Sequence, residues 1–318
     1  MSEPTSPRNK LNDLTNREWL METKSFWMSR AAGMPEPAAS ALSDFADWLM
    51  ESRDAQDAEE ILAQLDDSFV FSKTPPRSKL KALHPATFSE LDVERLIRFF
   101  TKTGEKVLDP FVGSGSTLIA CANCERSGVG IELSEEWAEI ARRRIEQEAS
   151  GVLLTPVRQD VLVGDALETL KQMPDESVDF VVTSPPYWSI LTKKAGLKVQ
   201  AEREAKGLPT QYSQDRRDLG NVEDYEEFLE LLTAVFAECG RVLRTGRYMA
   251  IVVSDFRHGP RFYLYHAHLA ERIEAAGIPL RGVTVLAQDN KNLYPFGVPN
   301  QFVSNIHHQY ILIFQRPK

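Results

Sequence analysis

From residue 106 onward the chain alternates short apolar runs with amphipathic stretches. The runs fall at 106–109, 128–132, 161–165, 178–183, 248–253, 283–286 and 309–314, each of strand length. Between them, helical spacing begins near Ser116, Ser134, Asp165, Val222 and Tyr263. Strand and helix in turn predict an α/β fold, a mostly parallel sheet of about seven strands with helices on both faces. Ligands of such sheets bind at the carboxyl ends of the strands, so residues at those ends deserve the closest reading.

The first hundred residues follow a different pattern. Thr15-Asn-Arg-Glu18 reads as a capping box opening a helix that carries Trp19, Leu20, Phe26 and Trp27. Leu42, Phe45, Ala46, Leu49 and then Ala58, Ile61, Leu62, Leu65 keep helical spacing and predict two more amphipathic helices. The Pro75-Pro76 pair forbids helix. Ser89 caps a further helix bearing Leu91, Leu96, Ile97 and Phe100. The expected division is a helical N-terminal region over 1–72, a linker over 73–88 and a main domain over 89–318.

Charge changes the picture once it is located. The 318 residues hold 37 Lys+Arg against 46 Asp+Glu, a net charge of −9, which taken whole counts against a nucleic-acid partner. Yet the stretch from Asp44 to Asp67 alone carries nine acids and one base, Arg53. The rest is close to neutral. The acidic helices read as a solvated surface, or as a face that docks a partner protein or mimics a nucleic acid. The linker holds Lys73, Arg77, Lys79 and Lys81 with no acid between them, and further bases cluster at Lys193, Lys194, Lys198, at Arg216, Arg217, and at Arg257, Arg261. Three cysteines are no disulfide framework, the opening residues resemble no secretory leader, and no run of about 18 apolar residues is present. A cytoplasmic protein without a membrane partner is expected.

Two motifs carry chemistry. Asp109-Pro-Phe111-Val-Gly113-Ser-Gly115-Ser-Thr117 lies between a strand and a helix, where two glycines let the backbone approach a ligand and the helix start offers free N–H groups. Leu118 stands where a dinucleotide fingerprint needs a third Gly or Ala, and no Gly-Lys-Ser/Thr follows. Glu132 ends the next strand, placed to accept from ribose hydroxyls, and Asp165 ends the one after, placed to accept from an adenine amino group. The second motif is Ser184-Pro185-Pro186-Tyr187-Trp188, a rigid turn with an aromatic able to stack on a planar ring. Cys121 and Cys124 have metal-like spacing but lie within one helix without a second pair, so no metal is expected.

Together these motifs resemble the S-adenosylmethionine-dependent DNA methyltransferases that modify exocyclic amino groups, N4 of cytosine or N6 of adenine. The resemblance runs from about residue 80 to the C-terminus and includes His84-Pro85-Ala86-Thr87-Phe88 and Val163-Gly-Asp165. It implies a Rossmann-like methyltransferase fold. By that resemblance Phe111, Gly113, Gly115 and the Asp109 region cradle the methionine end of S-adenosyl-L-methionine, Glu132 holds the ribose, Asp165 the adenine, and His84, Pro85, Ala86 and Thr87 close the pocket. Ser184 and the Pro185 carbonyl would accept from the target amine beside Pro186, with Tyr187 stacked on a base flipped from a duplex or already single-stranded.

Cofactor motifs precede the Ser184 turn, whereas many relatives have the reverse order. The insert over 188–218, with Lys193, Lys194, Arg216 and Arg217, and the basic linker are the expected DNA contacts. Ser184, where many adenine-modifying members have Asp, points to N4-cytosine. N6-adenine, an RNA amine and a non-catalytic nucleic-acid-binding subunit are the alternatives.

Overall fold

The computed structural model describes residues 9–15, 19, 22, 23, 26–30, 70–73, 80, 81, 89–149, 157–188, 215, 217–288 and 302–318. Two strands, β1 (Phe26–Arg30) and β2 (Val70–Lys73), and helix α1 (Glu90–Phe100) come first. Strand and helix then alternate as β3 (Lys106–Asp109), α2 (Ser116–Asn123), β4 (Ser127–Glu132), α3 (Glu135–Glu148), β5 (Gln159–Val163), α4 (Ala166–Lys171), β6 (Val178–Thr183), α5 (Tyr225–Val242) and β7 (Leu243–Val253). A hairpin of β8 (Phe256–His258) and β9 (Arg261–Tyr263), helix α6 (Tyr265–Ala275), β10 (Leu280–Gln288) and β11 (His308–Gln315) complete the described elements.

Nine strands form one sheet in the order β2-β1-β10-β11-β7-β6-β3-β4-β5. Neighbours run parallel except at β11, which is antiparallel to both β10 and β7. Successive residues point to opposite faces, and both faces are covered, which is why the central strands are apolar throughout. Leu108, Val181, Met249, Ile251 and Leu312 face a core closed by α5 and α6. Val107, Phe180, Val182, Ala250 and Ile311 face a second core under α1 and α2. Phe180, Phe228, Phe236 and Phe314 are fully buried, each worth about 2–3 kcal/mol of transfer free energy.

The expected Rossmann-like α/β arrangement is present, with corrections. Phe26 and Trp27 lie in β1, paired in parallel with β10, and do not continue the helix that begins near Trp19. Only a short helical stretch remains there, marked by the Trp19 N–H to Thr15 carbonyl bond at 2.9 Å and the Thr23 N–H to Trp19 carbonyl bond at 3.1 Å. The spacing of the aromatics satisfies a helix, but an otherwise open sheet edge offers a ladder of backbone bonds that local propensity cannot match. The N-terminal region is therefore not purely helical, since β1 and β2 extend the sheet of the main domain. Strand β7 also begins five residues before the apolar run at 248–253, because Arg244 and Arg247 at its polar start are held by Asp179 and Glu105. The acidic helices expected within 42–67 lie outside the described residues. Among the described residues no helix is long and apolar enough to cross a membrane.

A buried ion network braces the first crossover. Arg144 of α3 is fully buried and donates to the Ser114 carbonyl at 2.8 Å, to the Ser116 hydroxyl at 3.3 Å, and to Glu90 of α1 at 2.8 Å. Glu90 in turn pairs with Lys81. Burial pushes the Glu90 carboxyl up, but Lys81 and Arg144 pull it the other way, and the net direction is below the ordinary value. Lys81 was expected among the DNA contacts of the linker; buried against Glu90, its ammonium is not available to a phosphate. Removing one partner leaves the others charged in a low-dielectric site. Glu90→Ala is expected to lower stability by about 3 kcal/mol in denaturant unfolding of the full chain.

Candidate active site

Strand order reverses between β3 and β6. From β3 the sheet steps outward to β4 and β5, and β6 and β7 lie on its other side. The carboxyl ends at such a reversal open a crevice. Here they carry the glycine loop after β3 and the Ser184 turn after β6.

Asp109, the last residue of β3, ties these two features together. Its buried carboxylate accepts from the Phe111 N–H at 3.0 Å, the Thr117 hydroxyl at 2.5 Å and the Thr183 hydroxyl at 2.6 Å. Those donors belong to the loop, to the first turn of α2 and to the end of β6. One side chain thus fixes the loop relative to the residue that precedes Ser184. Burial pushes the Asp109 pKa up to about 6, opposed by its Thr117, Thr183 and Phe111 donors, so it remains mostly ionised at neutral pH. The side chain lies beneath the loop and holds it in shape.

The loop itself is shaped for close approach. Gly115 caps α2 with a φ of 85°, a left-handed conformation that favours glycine, and supplies no side-chain bond to the helix start. The backbone N–H groups of that first turn are thereby left open to a ligand. At Gly130 of β4, a Cβ would stand 2.7 Å from the Val112 side chain, so only glycine lets the loop lie against the strand.

Glu132 ends β4 half-buried, accepting from the Gly113 N–H at 3.0 Å and the Ser134 N–H at 2.9 Å. Burial pushes its pKa up to about 7, with the charges of Asp218 and Asp109 adding to the effect and the two N–H donors opposing it. Asp165 stands beyond β5 as the cap of α4, one oxygen accepting from the Glu168 N–H at 3.0 Å. Phe111 is half-buried, its ring edge-on to Phe236 at 6.4 Å. Of the three carboxylates expected at successive strand ends, Asp109 and Glu132 end β3 and β4, while Asp165 lies two residues beyond β5 as a helix cap. A glycine cradle, an open helix start and an acceptor at the second strand end fit a nucleoside with a charged tail, the shape of S-adenosyl-L-methionine.

In the Ser184 turn, Pro185 is buried, while Ser184, Pro186 and Tyr187 are half-buried. The Tyr187 ring lies 5.9 Å from Tyr265, and its hydroxyl accepts from Gln309 at 3.5 Å. Burial pushes the Tyr187 phenol above its ordinary pKa. Trp188 is buried among Tyr225, Tyr263 and His258, with ring centroids at 5.2, 5.3 and 4.7 Å. Of the two aromatics, Trp188 anchors the turn and Tyr187 remains at its rim. Beyond β7, Asp255 accepts from His266 Nδ1 at 2.6 Å, and the His266 ring stacks on Tyr310 at 3.8 Å.

Sequence reading missed Thr183 and Arg144, whose partners are distant in sequence, and Thr117, whose partner is close. Thr117 was the most accessible of them, as a hydroxyl eight residues after Asp109 in the first turn of a helix. Among the expected nucleic-acid contacts, Arg217 is exposed and paired with Asp215 at 2.6 Å, and Lys73 ends β2. His84, Pro85, Ala86, Thr87, Arg77, Lys79, Lys193, Lys194 and Arg216 lie outside the described residues.

The family model for DNA methylase matches residues 8–143 and 178–318. The type II methyltransferase M.HpaI of Haemophilus parainfluenzae is 38% identical over 81 residues, covering 26% of this chain and 26% of that protein. The type II methyltransferase M2.DpnII of Streptococcus pneumoniae is 39% identical over 85 residues, covering 27% of this chain and 32% of that protein. The chain thus spans about a quarter to a third of the length of these relatives. Among solved structures, TrmN from Thermus thermophilus matches over 93% of this chain and 74% of that one at 16% identity, with a TM-score of 0.46.

Glu132 supplies a test of the crevice. With its pKa pushed up to about 7, Glu132 has both oxygens free to accept only once it has lost its proton, and ribose hydroxyls are the donors expected there from the resemblance. Affinity for S-adenosylhomocysteine, measured by calorimetry, is expected to rise with pH up to about 7 and then level off. In Glu132→Gln binding is weaker and this pH dependence disappears.

Proposed function

The chain belongs to the DNA methylase family, and we propose that it transfers a methyl group from S-adenosyl-L-methionine to an exocyclic amino group of DNA, N4 of cytosine by preference. The observation that carries this reading is the Asp109 brace, which joins the glycine loop to the strand end bearing Ser184. A nucleoside cradle and a Ser-Pro-Pro-Tyr turn sharing one crevice suit the joining of a bound methyl donor to a planar amine. The similarity to type II methyltransferases supports DNA as the substrate.

An amine conjugated with its ring is a poor nucleophile. When bound, S-adenosyl-L-methionine supplies an electrophilic sulfonium methyl. The protein must present the amine to it. The Ser184 hydroxyl and the Pro185 carbonyl accept the amino hydrogens, drawing the nitrogen toward tetrahedral geometry and freeing its lone pair; as the nitrogen–methyl bond forms the sulfur–methyl bond would break, leaving S-adenosylhomocysteine, and the nitrogen gives up one proton to water. Tyr187 stacks on the base, which has left the duplex or was never paired. Glu132 receives the ribose hydroxyls, Asp165 the adenine amine, and His84 to Thr87 cover the pocket. Positioning and electrostatics carry the rate, and no covalent protein intermediate is needed. Lys193, Lys194, Arg216 and Arg217 in the insert, with Lys73, Arg77 and Lys79 in the linker, supply phosphate contacts.

Ser184 is compact and uncharged where an Asp would also serve adenine, and this favours cytosine. DNA incubated with the protein and S-adenosyl-L-methionine, digested and analysed by nucleoside mass spectrometry, is expected to contain N4-methylcytosine. The Ser184→Ala variant should form it at least about tenfold more slowly, the cost of one lost polar contact in the transition state. N6-methyladenine without N4-methylcytosine would refute the choice of base.

A further inference from the structure

The β8–β9 hairpin stands beside the Ser184 turn and has no part in the chemistry described above. Trp188 of that turn packs against both of its strands, through Phe256 at 6.2 Å, His258 at 4.7 Å and Tyr263 at 5.3 Å. Phe256 and Tyr263 stack face to face across the hairpin at 5.3 Å, and Tyr225 of α5 closes the cluster. The hairpin is therefore held rigidly with respect to the catalytic turn. Its tip, Gly259-Pro260, and the following Arg261 and Phe262 are exposed.

Its charge is of one sign. From 256 to 263 the hairpin has Arg257, His258 and Arg261 and no acid. Many arginines of the main domain are matched with carboxylates, among them Arg144 with Glu90 and Glu148, Arg241 with Asp175 and Glu238, Arg244 with Asp179, Arg272 with Glu226, and Arg316 with Glu176. Arg257 and Arg261 have no carboxylate partner among the described residues. Each lies instead over an aromatic ring of the hairpin, Arg257 5.1 Å from the Phe262 centroid and Arg261 4.7 Å from that of Tyr263. Arg257 also donates to the Ser304 hydroxyl at 3.3 Å, and its Nε is buried with no partner among the described residues. Stacking restricts a guanidinium without occupying its in-plane donors: the exposed Arg261 keeps its whole donor fork for a phosphate, while Arg257, with Nε buried and one Nη on Ser304, has its other Nη to offer.

We propose that this hairpin is a phosphate-binding arm for the DNA strand whose base enters the crevice, with Arg257 and Arg261 each engaging one phosphate. The proposal rests on the reading of DNA as substrate and adds the surface that registers the strand. Phosphate contacts position a nucleic acid without reading its sequence. An arm fixed to Trp188 sets the strand against Ser184 four residues away in the chain, so the nucleotide at the turn is the one presented for transfer.

The test measures binding of the full chain to a fluorescein-labelled DNA duplex across a range of salt concentrations, in the presence of S-adenosylhomocysteine. Each phosphate contact contributes about 0.9 to the slope of log affinity against log salt. Arg261→Gln is expected to flatten the slope by about 0.9, and Arg257→Gln with Arg261→Gln by about 1.8. The corresponding lysine variants should keep the slope, because a phosphate contact needs the charge. S-adenosylhomocysteine affinity is unchanged in all of them and reports an intact fold. A wild-type slope in the glutamine variants would overturn the arm and leave DNA as the substrate. A wild-type protein that binds S-adenosylhomocysteine but no DNA would overturn both readings.

Discussion

Everything at the crevice depends on a single buried carboxylate with three donors. Asp109 is expensive to bury, and its ordinary tendency in such a site would be to take up a proton. Two hydroxyls and a backbone N–H offset that cost and hold it ionised enough to act as a hub. Because the donors come from the glycine loop, α2 and the end of β6, the three segments cannot drift apart without stranding a buried charge. Arg144 performs a related task from below, gripping Ser114 and Ser116 and linking them to Glu90 and Lys81. The loop that would hold a cofactor is thus braced both against the acceptor side and against the first helix.

Much of the fold was legible in the sequence. The central strands are apolar on both faces, so their runs stood out, and Ser89, Ser134 and Asp165 are all at helix starts as their residue types suggest. Legibility failed where tertiary contacts overrode local pattern. Phe26 and Trp27 joined the sheet edge, and the polar residues opening β7 were stabilised by Asp179 of β6 and by Glu105 just before β3. The Phe256–Tyr263 hairpin was invisible because its strands are three residues long.

The site followed the same division. Glu132 ends β4, and the glycines, Asp165 and Ser184 closely follow the ends of β3, β5 and β6, positions that the alternation of strand and helix makes legible. The brace was not, since Thr183 reaches Asp109 across 74 positions of chain. Lys81 shows the opposite error: a basic residue beside a Pro-Pro pair reads as surface, yet it is buried against Glu90. Charge counted by segment distinguishes an acidic stretch at 44–67 from a remainder close to neutral, but only contacts reveal which bases are already occupied. Arg257 and Arg261 are held over aromatic rings in a hairpin that has no acid of its own.

If the brace sets the register between donor and acceptor, loosening it must impair transfer while leaving cofactor binding intact. Thr183→Val removes one hydroxyl from Asp109 at nearly constant volume and touches neither side of the crevice directly. The decisive measurement is the single-turnover rate of methyl transfer to DNA by this variant saturated with S-adenosyl-L-methionine. A fall of about tenfold or more, with cofactor affinity within about twofold of wild type, is the predicted result. A rate equal to that of the wild type would contradict the account.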